Sequence, residues 1–155
     1  MFLTCCSHNS ELSAMQLYIG TSGWSYDWNP DGFSWYMKNS NLNSVELNAS
    51  FYRFPFLNII SSWNRKSPHG FRWAIKVNRM VTHASRFSER AVEYWSRFKE
   101  LFEAVDQKIA FFLFQLPPSS TPTPPFHRWT REVHHSSETW TEVRFRVSEP
   151  QMVRE

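Results

Sequence analysis

The sequence predicts an α/β fold in which strands and helices alternate around a parallel sheet. Short runs rich in β-branched and aromatic residues alternate with stretches of helical periodicity along the chain, and this order is typical of strands joined by crossover helices. The chain has 155 residues, of which 41% are hydrophobic and 17% are aromatic. That length and composition suit one ordinary hydrophobic core and therefore one domain.

Five strands are predicted from the apolar runs. They are Gln16–Gly20, Ser44–Asn48, Phe71–Val77, Ile109–Leu116 and Thr139–Val147. The fourth run is almost continuously apolar, as is typical of a strand that is buried on both faces. In the second and third runs apolar and polar residues alternate, so we expect the apolar side chains to face helices and the polar ones to face the other way.

Helical periodicity marks the segments between the predicted strands. The predicted helices are Phe33–Lys38, Pro55–Arg65, Ser88–Gln107 and Phe126–Val133. The third is the clearest, because its apolar residues recur at intervals of three and four and therefore share one face. These residues are Ala91, Trp95, Phe98, Phe102 and Val105. The segment Pro117–Pro125 contains five prolines among serines and threonines, which predicts a stiff exposed loop.

Charge and cysteine content indicate a reduced, cytoplasmic protein. The formal net charge of +3 favours anionic partners only if the charges cluster. Cys5 and Cys6 are adjacent, so they form neither a disulfide framework nor a spaced zinc pair. Residues 1–15 lack the basic and apolar regions of a signal peptide, and we expect them to be a disordered extension. No segment reaches membrane-spanning length, so no membrane partner is expected.

Four segments, in order along the chain, carry a resemblance to a known family. They are LYIGTSGWSY from Leu17, NSVELNASFYRFP from Asn43, FRWAIKVNRMVTH from Phe71 and FFLFQLPP from Phe111. Together these segments resemble the YecE-like family, which is domain-of-unknown-function family 72. The resemblance implies a TIM-barrel-like α/β fold, in a family whose biochemical activity has not been settled.

The resemblance also implies an incomplete barrel. A closed barrel of eight βα units usually takes roughly 250 residues, whereas about five strands fit into this chain. We therefore expect a C-terminally truncated barrel, with the first four βα strands in residues 16–118 and a Pro-rich loop and divergent fifth βα unit in residues 119–155. A sheet that does not close keeps open edges, which favour self-association.

The predicted site lies at the carboxyl ends of the strands, where TIM-barrel enzymes keep their active sites. Strand alternation directs four polar side chains to the inner face near these ends. They are Glu46, Asn48, Lys76 and Gln115. Further candidates lie in the loops that follow the strands and in the fifth strand. They are Thr21, Ser22, Gly23, Trp24, Phe51, Tyr52, Arg53, Arg79, His83 and Arg146.

These residue types would suit a phosphorylated or nucleic-acid-derived ligand. Arginine and lysine bind anions, glycine lets a ligand approach backbone amides, and Trp24 or Tyr52 could stack on a ring. Glu46, Lys76 and His83 are the candidates for catalysis. An interior ion pair between Glu46 and Lys76 is an equal alternative, and a lone histidine beyond a strand is more often structural than chemical.

The fifth strand departs from the family pattern. The family usually shows V-E-F-R-H-P at this strand, whereas this chain has Val143-Arg-Phe-Arg-Val147. Arg146 keeps its place, but Arg144 replaces the acid and Val147 replaces the histidine. Loss of a carboxylate beside Lys76 leaves excess positive charge unless an anion binds, so we expect little or no catalytic turnover.

Three functions are compatible with these observations. The first is action on, or binding of, a phosphate-bearing or nucleic-acid-derived ligand at the carboxyl ends of the strands. The second is a non-catalytic module that binds nucleic acid through basic and aromatic side chains. The third is an inactive gene fragment. No spaced set of His, Asp and Glu predicts a metal site, and the sequence indicates no particular cofactor, substrate or oligomeric state.

Overall fold

The protein contains a six-stranded sheet, seen in a computed structural model that describes residues 2–6, 16–118 and 143–147, with the side chains of residues 16–118. Its strands lie side by side in chain order. They are β1 (Phe2–Cys6), β2 (Gln16–Ser22), β3 (Ser44–Leu47), β4 (Arg72–Lys76), β5 (Ile109–Leu116) and β6 (Val143–Val147).

Helical segments connect the strands. They are α1 (Gly32–Asn39), α2 (Ala49–Tyr52), α3 (Leu57–Lys66), a π-helical turn (Met80–Ala84), α4 (Glu89–Glu100) and a 3₁₀ helix (Glu103–Lys108). None of the helices in the described ranges is long and apolar enough to cross a membrane.

The five strands from β2 to β6 are parallel, as the sequence predicts. Each pairs with the next along the chain, and helices lie in the three connections from β2 to β5. Parallel neighbours joined by helices are the repeat of a TIM barrel. The described part is therefore an α/β half-barrel, which confirms the predicted incomplete, TIM-barrel-like fold.

Strand β1 was not expected, because residues 1–15 were predicted to be a disordered extension. Residues Phe2–Cys6 instead pair antiparallel with β2, with Phe2 opposite Gly20 and Cys6 opposite Gln16. The edge of a sheet presents unpaired backbone N–H and C=O groups. A short segment can pair with those groups even when its sequence shows little strand pattern. The predicted disorder therefore differs from the structure at Phe2–Cys6.

The predicted helix Ser88–Gln107 is divided in the structure. Helix α4 ends at Glu100, and a 3₁₀ helix follows. The change of helix type keeps Phe102 and Val105 buried, so the apolar stripe is continuous although the α-helix is not. Helix α2 and the π-helical turn were also missed, since each is too short to show periodicity. The predicted helix Phe126–Val133 and most of the predicted Pro-rich loop lie outside the described residues.

Strand alternation gives the sheet two different faces. Trp73 and Ile75 of β4 are buried in the main hydrophobic core, whereas Ala74 belongs to a smaller cluster with Phe111 and Leu113. Successive side chains of a strand point to opposite faces, so the smaller cluster lies on the face away from the helices. The predicted inward direction of the alternate residues is confirmed for β4.

Aromatic side chains pack between α4 and β5 in the main core. The ring of Trp95 lies 5.0 Å from that of Phe112 and 5.0 Å from that of Phe114. Phe98 lies 5.1 Å from Phe102 and 5.4 Å from Phe54. These separations are typical of favourable edge-to-face and tilted aromatic pairs, and they attach the apolar stripe of α4 to the sheet.

A lysine caps the carboxyl end of α3. The ammonium group of Lys108 donates hydrogen bonds to the carbonyl oxygens of Asn64 and Ser67, each at 2.7 Å. The last carbonyls of a helix have no partner within the helix, and a cation there also interacts favourably with the helix dipole. Lys108 therefore attaches α3 to the start of β5.

The substitution Phe98→Ala should destabilise the fold by about 3–5 kcal/mol, because it removes a fully buried ring and leaves a cavity. Chemical denaturation provides the measurement. The matched control is Val92→Ala on the same helix, where an exposed side chain should cost less than about 0.5 kcal/mol. A loss of under about 1 kcal/mol for Phe98→Ala would show that the stripe is not packed.

The substitution Lys108→Met should cost about 1–2 kcal/mol, since it keeps the aliphatic stem but removes the charged donor at the end of α3. Lys66→Met is the control, because Lys66 is an exposed lysine in the last turn of the same helix. Thermal unfolding of the two variants should show a lower midpoint only for Lys108→Met. Equal midpoints would refute the capping role.

Candidate functional site

A buried carboxylate lies at the carboxyl end of β3. Glu46 is 2% exposed, and its Oε1 accepts a hydrogen bond of 3.1 Å from the hydroxyl of Ser22. The side-chain amide of Asn48 donates in turn to the Ser22 oxygen at 2.6 Å. The structure thus brings together three of the predicted site residues, Ser22, Glu46 and Asn48, which we call the Glu46 cluster.

One acceptor of the Glu46 cluster is unsatisfied. Oδ1 of Asn48 is buried and has no hydrogen-bond partner among the described residues. A buried acceptor without a donor costs about 1–3 kcal/mol, and such groups in native structures call for an explanation.

A second group of predicted residues surrounds the ring of Phe51, in the short helix α2 that follows β3. The ammonium group of Lys76 lies 4.8 Å from the centre of this ring, within the range of a cation–π interaction. The imidazole of His83 contacts the same ring edge to face at 5.1 Å. We call Phe51, Lys76, Arg79 and His83 the His83 cluster. Arg79 is included because, besides burial, its positive charge lowers the pKa of His83.

The π-helical turn Met80–Ala84 positions His83. Thr82 is buried within this turn, and its hydroxyl lies 2.8 Å from Nδ1 of His83, with the donor set by the tautomer of the ring. This hydrogen bond fixes the plane of the imidazole. Single π-helical turns occur often at functional sites, because they redirect one side chain without ending the helix.

The pKa of His83 lies below its ordinary value of 6.5. Burial is the largest cause, and the positive charges of Arg79 and Lys76 add to it. Because both effects disfavour the imidazolium form, His83 is neutral at pH 7 and gains its proton only in more acidic solution.

Two residues that sequence reasoning missed join the loops after β3 and β4. The hydroxyl of Ser50 lies 2.8 Å from the carbonyl oxygen of Leu47 and 2.7 Å from that of Lys76. The side-chain amide of Asn78 donates to the backbone carbonyl of Ser50 at 2.9 Å. These bonds hold the Glu46 cluster beside the His83 cluster. The sequence signal that could have identified Asn78 is its position just after β4, since Asn48 likewise lies just after β3.

Two predicted ligand-binding residues face the helices. The backbone N–H of Thr21 donates to the hydroxyl of Tyr36 on α1 at 3.2 Å. Trp24 packs against Trp63 at 5.2 Å and Phe33 at 5.0 Å, within the main core. Trp24 is partly buried and contributes to packing, so a ligand ring could reach only the part of its indole that these neighbours leave uncovered.

Other predicted residues lie at the surface of the same edge. The backbone N–H of Gly23 donates to the carbonyl oxygen of Glu46 at 2.8 Å, so this amide already has a partner within the sheet edge. Tyr52 is 71% exposed, and Arg53 and Arg79 are exposed as well. Tyr52 contacts the ring of Phe51 at 5.1 Å, which places it at the rim of the His83 cluster.

The last two predicted residues are neighbours in the sheet. The parallel register places Gln115 of β5 opposite Arg146 of β6, near the carboxyl end of each strand. Gln115 is partly exposed. The backbone thus brings Arg146 to the same end of the sheet as the two clusters. Within the described residues, no group of three or more His, Cys, Asp and Glu side chains could hold a metal ion.

Two solved structures with a similar fold are described as DUF72 family proteins. The chain is similar to a DUF72 family protein from Enterococcus faecalis V583, with a TM-score of 0.64 and 19% identity, over 84% of this chain and 51% of that one. It is also similar to a DUF72 family protein from Thermotoga maritima MSB8, with a TM-score of 0.66 and 23% identity, over 89% of this chain and 58% of that one.

The chain therefore spans roughly half the length of these two proteins. At these identities the likeness establishes the fold. No curated protein matches the chain. The model of the family described as "Protein of unknown function DUF72" matches residues 18–147, a range that contains every candidate site residue named above. This chain belongs to the DUF72 family.

Proposed function

We propose that the carboxyl edge of the sheet binds a small phosphate-bearing ligand, with the phosphate at the His83 cluster. The observation that carries the proposal is geometric: Lys76 and His83 both contact the ring of Phe51. Besides burial, the positive charges of Arg79 and Lys76 lower the pKa of His83, which agrees with this placement. Two permanent cations that act on one imidazole create a local positive potential. A phosphate there would accept charge-assisted hydrogen bonds from both cations.

The exposure of these groups suits a ligand that arrives from solution. Arg79 is exposed, and Lys76 and His83 are partly exposed, so an anion can reach them without any rearrangement of the core. The arginine fork can bind two phosphate oxygens at once, while lysine acts as a point charge. The shared ring of Phe51 holds Lys76 and His83 in place.

The Glu46 cluster would contact the remainder of the ligand. In the Glu46 cluster, Oδ1 of Asn48 accepts no hydrogen bond from the described residues. An acceptor of this kind suits a ligand that carries a hydroxyl or amino group. Glu46, Lys76 and His83 are the groups available for acid–base chemistry. We assign no reaction, because Arg144 and Val147 replace the acid and the histidine of the family pattern, and this departure favours binding over turnover.

Two alternatives have different consequences in solution. A module that binds a nucleic-acid strand would lose affinity steeply as salt concentration rises, in proportion to the number of phosphates it contacts. An inactive fragment would bind no anion, and association of its open sheet edges would dominate its behaviour. Phosphate titration at two salt concentrations, together with light scattering, distinguishes these alternatives from the proposal.

The substitutions Lys76→Gln and Arg79→Gln should each weaken the binding of inorganic phosphate about tenfold, because each removes one charge-assisted contact. Isothermal calorimetry or chemical shifts of the loop after β4 would measure the effect. Lys66→Gln is the control, since this exposed lysine ends α3 at the opposite end of the sheet. Equal affinity in all four proteins would refute a phosphate site at the His83 cluster.

The affinity for sulfate should rise as pH falls through the lowered pKa of His83, since protonation adds a third positive charge. Sulfate stays a dianion through this range, so the change reports on the protein alone. By linkage, bound sulfate should raise the pKa of His83 back toward 6.5. Imidazole chemical shifts measured against pH, with and without sulfate, test this. The His69 signals should not respond to sulfate, and unaltered His83 signals would contradict the prediction.

A further inference from the structure

The loop after β2 presents a stacked pair of aromatic side chains to solvent. The rings of Tyr26 and Trp28 lie 5.2 Å apart and are inclined by only 11°. Tyr26 is 39% exposed and Trp28 is 45% exposed. We call this pair the Tyr26–Trp28 platform. Sequence reasoning assigned ring stacking to Trp24 and Tyr52 and gave this pair no role.

Several contacts hold the platform in one position. The hydroxyl of Tyr26 donates to the backbone carbonyl of Ser22 at 2.7 Å, and the backbone N–H of Asn29 donates to the carbonyl of Tyr26 at 2.8 Å. Trp28 contacts the ring of Trp35 on α1 at 5.7 Å. A ring pair that is fixed in this way loses little conformational entropy when a ligand stacks on it.

The platform is directly joined to the proposed ligand site. The backbone carbonyl of Ser22 accepts a hydrogen bond from Tyr26, and the hydroxyl of Ser22 donates a hydrogen bond to Glu46. The platform therefore lies at the carboxyl end of β2, and the cation Lys76 ends β4, which is two strands away. Two interstrand spacings amount to about 10 Å. A nucleotide spans a comparable distance between its base and its phosphate oxygens.

We infer that the Tyr26–Trp28 platform is a ring-stacking subsite and that the phosphate-bearing ligand is a nucleotide, with its base on the platform. The inference rests on the proposed phosphate site. Aromatic side chains stack on any base, and each such contact contributes affinity with little preference among bases. The subsite therefore distinguishes nucleotides from other phosphate esters rather than one base from another.

Binding of AMP, ribose 5-phosphate and adenosine by calorimetry tests the inference. AMP should bind about tenfold or more tightly than ribose 5-phosphate, because only AMP carries a base. The substitution Trp28→Leu should abolish this difference and leave the affinity for ribose 5-phosphate unchanged. Phe56→Leu is the matched control, since Phe56 is an exposed aromatic residue outside the site, and it should preserve the difference.

Other outcomes separate the two proposals. If neither ribose 5-phosphate nor inorganic phosphate binds, the proposed phosphate site is wrong. In that case, the stacking subsite would still be supported if adenosine binds the unmodified protein and does not bind the Trp28→Leu variant. Equal affinities for AMP and ribose 5-phosphate would overturn the subsite. So would a glucose 6-phosphate affinity equal to that for AMP, since it would indicate stacking on a sugar. If Trp28→Leu fails to fold, Tyr26→Leu replaces it, with the same expected loss of the difference.

Discussion

The arrangement of this protein depends on the burial of one face of a parallel sheet against helices. Trp73 and Ile75 must point toward the helices to enter the main core, and strand geometry then forces Ala74 and Lys76 to the opposite face. The same constraint in β3 buries Val45 and Leu47 and turns Glu46 inward. The polar side chains at the carboxyl ends are therefore held in position by hydrophobic packing on the other side of the sheet.

Hydrogen bonds between strand ends convert this alternation into a defined site. Ser22, Glu46 and Asn48 form one chain of hydrogen bonds across β2 and β3, and Ser50 joins the ends of β3 and β4. Each strand thus holds the candidate site residues of its neighbour in position. The result is a carboxylate region beside a cationic region, an arrangement in which an elongated polar anion could contact both.

The electrostatics of the cationic region support the proposed anion site. Burial and two neighbouring cations keep His83 neutral near pH 7, so the cluster avoids a third charge until a ligand compensates it. An anion would supply that compensation and favour the imidazolium form.

The sequence by itself determined the order of the parallel strands, the apolar stripe on α4 and the inward residues Glu46 and Lys76, because periodicity and the family segments are local patterns. Tertiary structure decided the rest. Trp24 or Tyr52 was expected to be available for ring stacking. The fold packs Trp24 against Trp63 and Phe33, and only the folded chain shows which aromatic side chains have such neighbours. For the same reason the exposed Tyr26–Trp28 platform had no sequence signal: exposure and stacking depend on contacts that residue spacing does not encode.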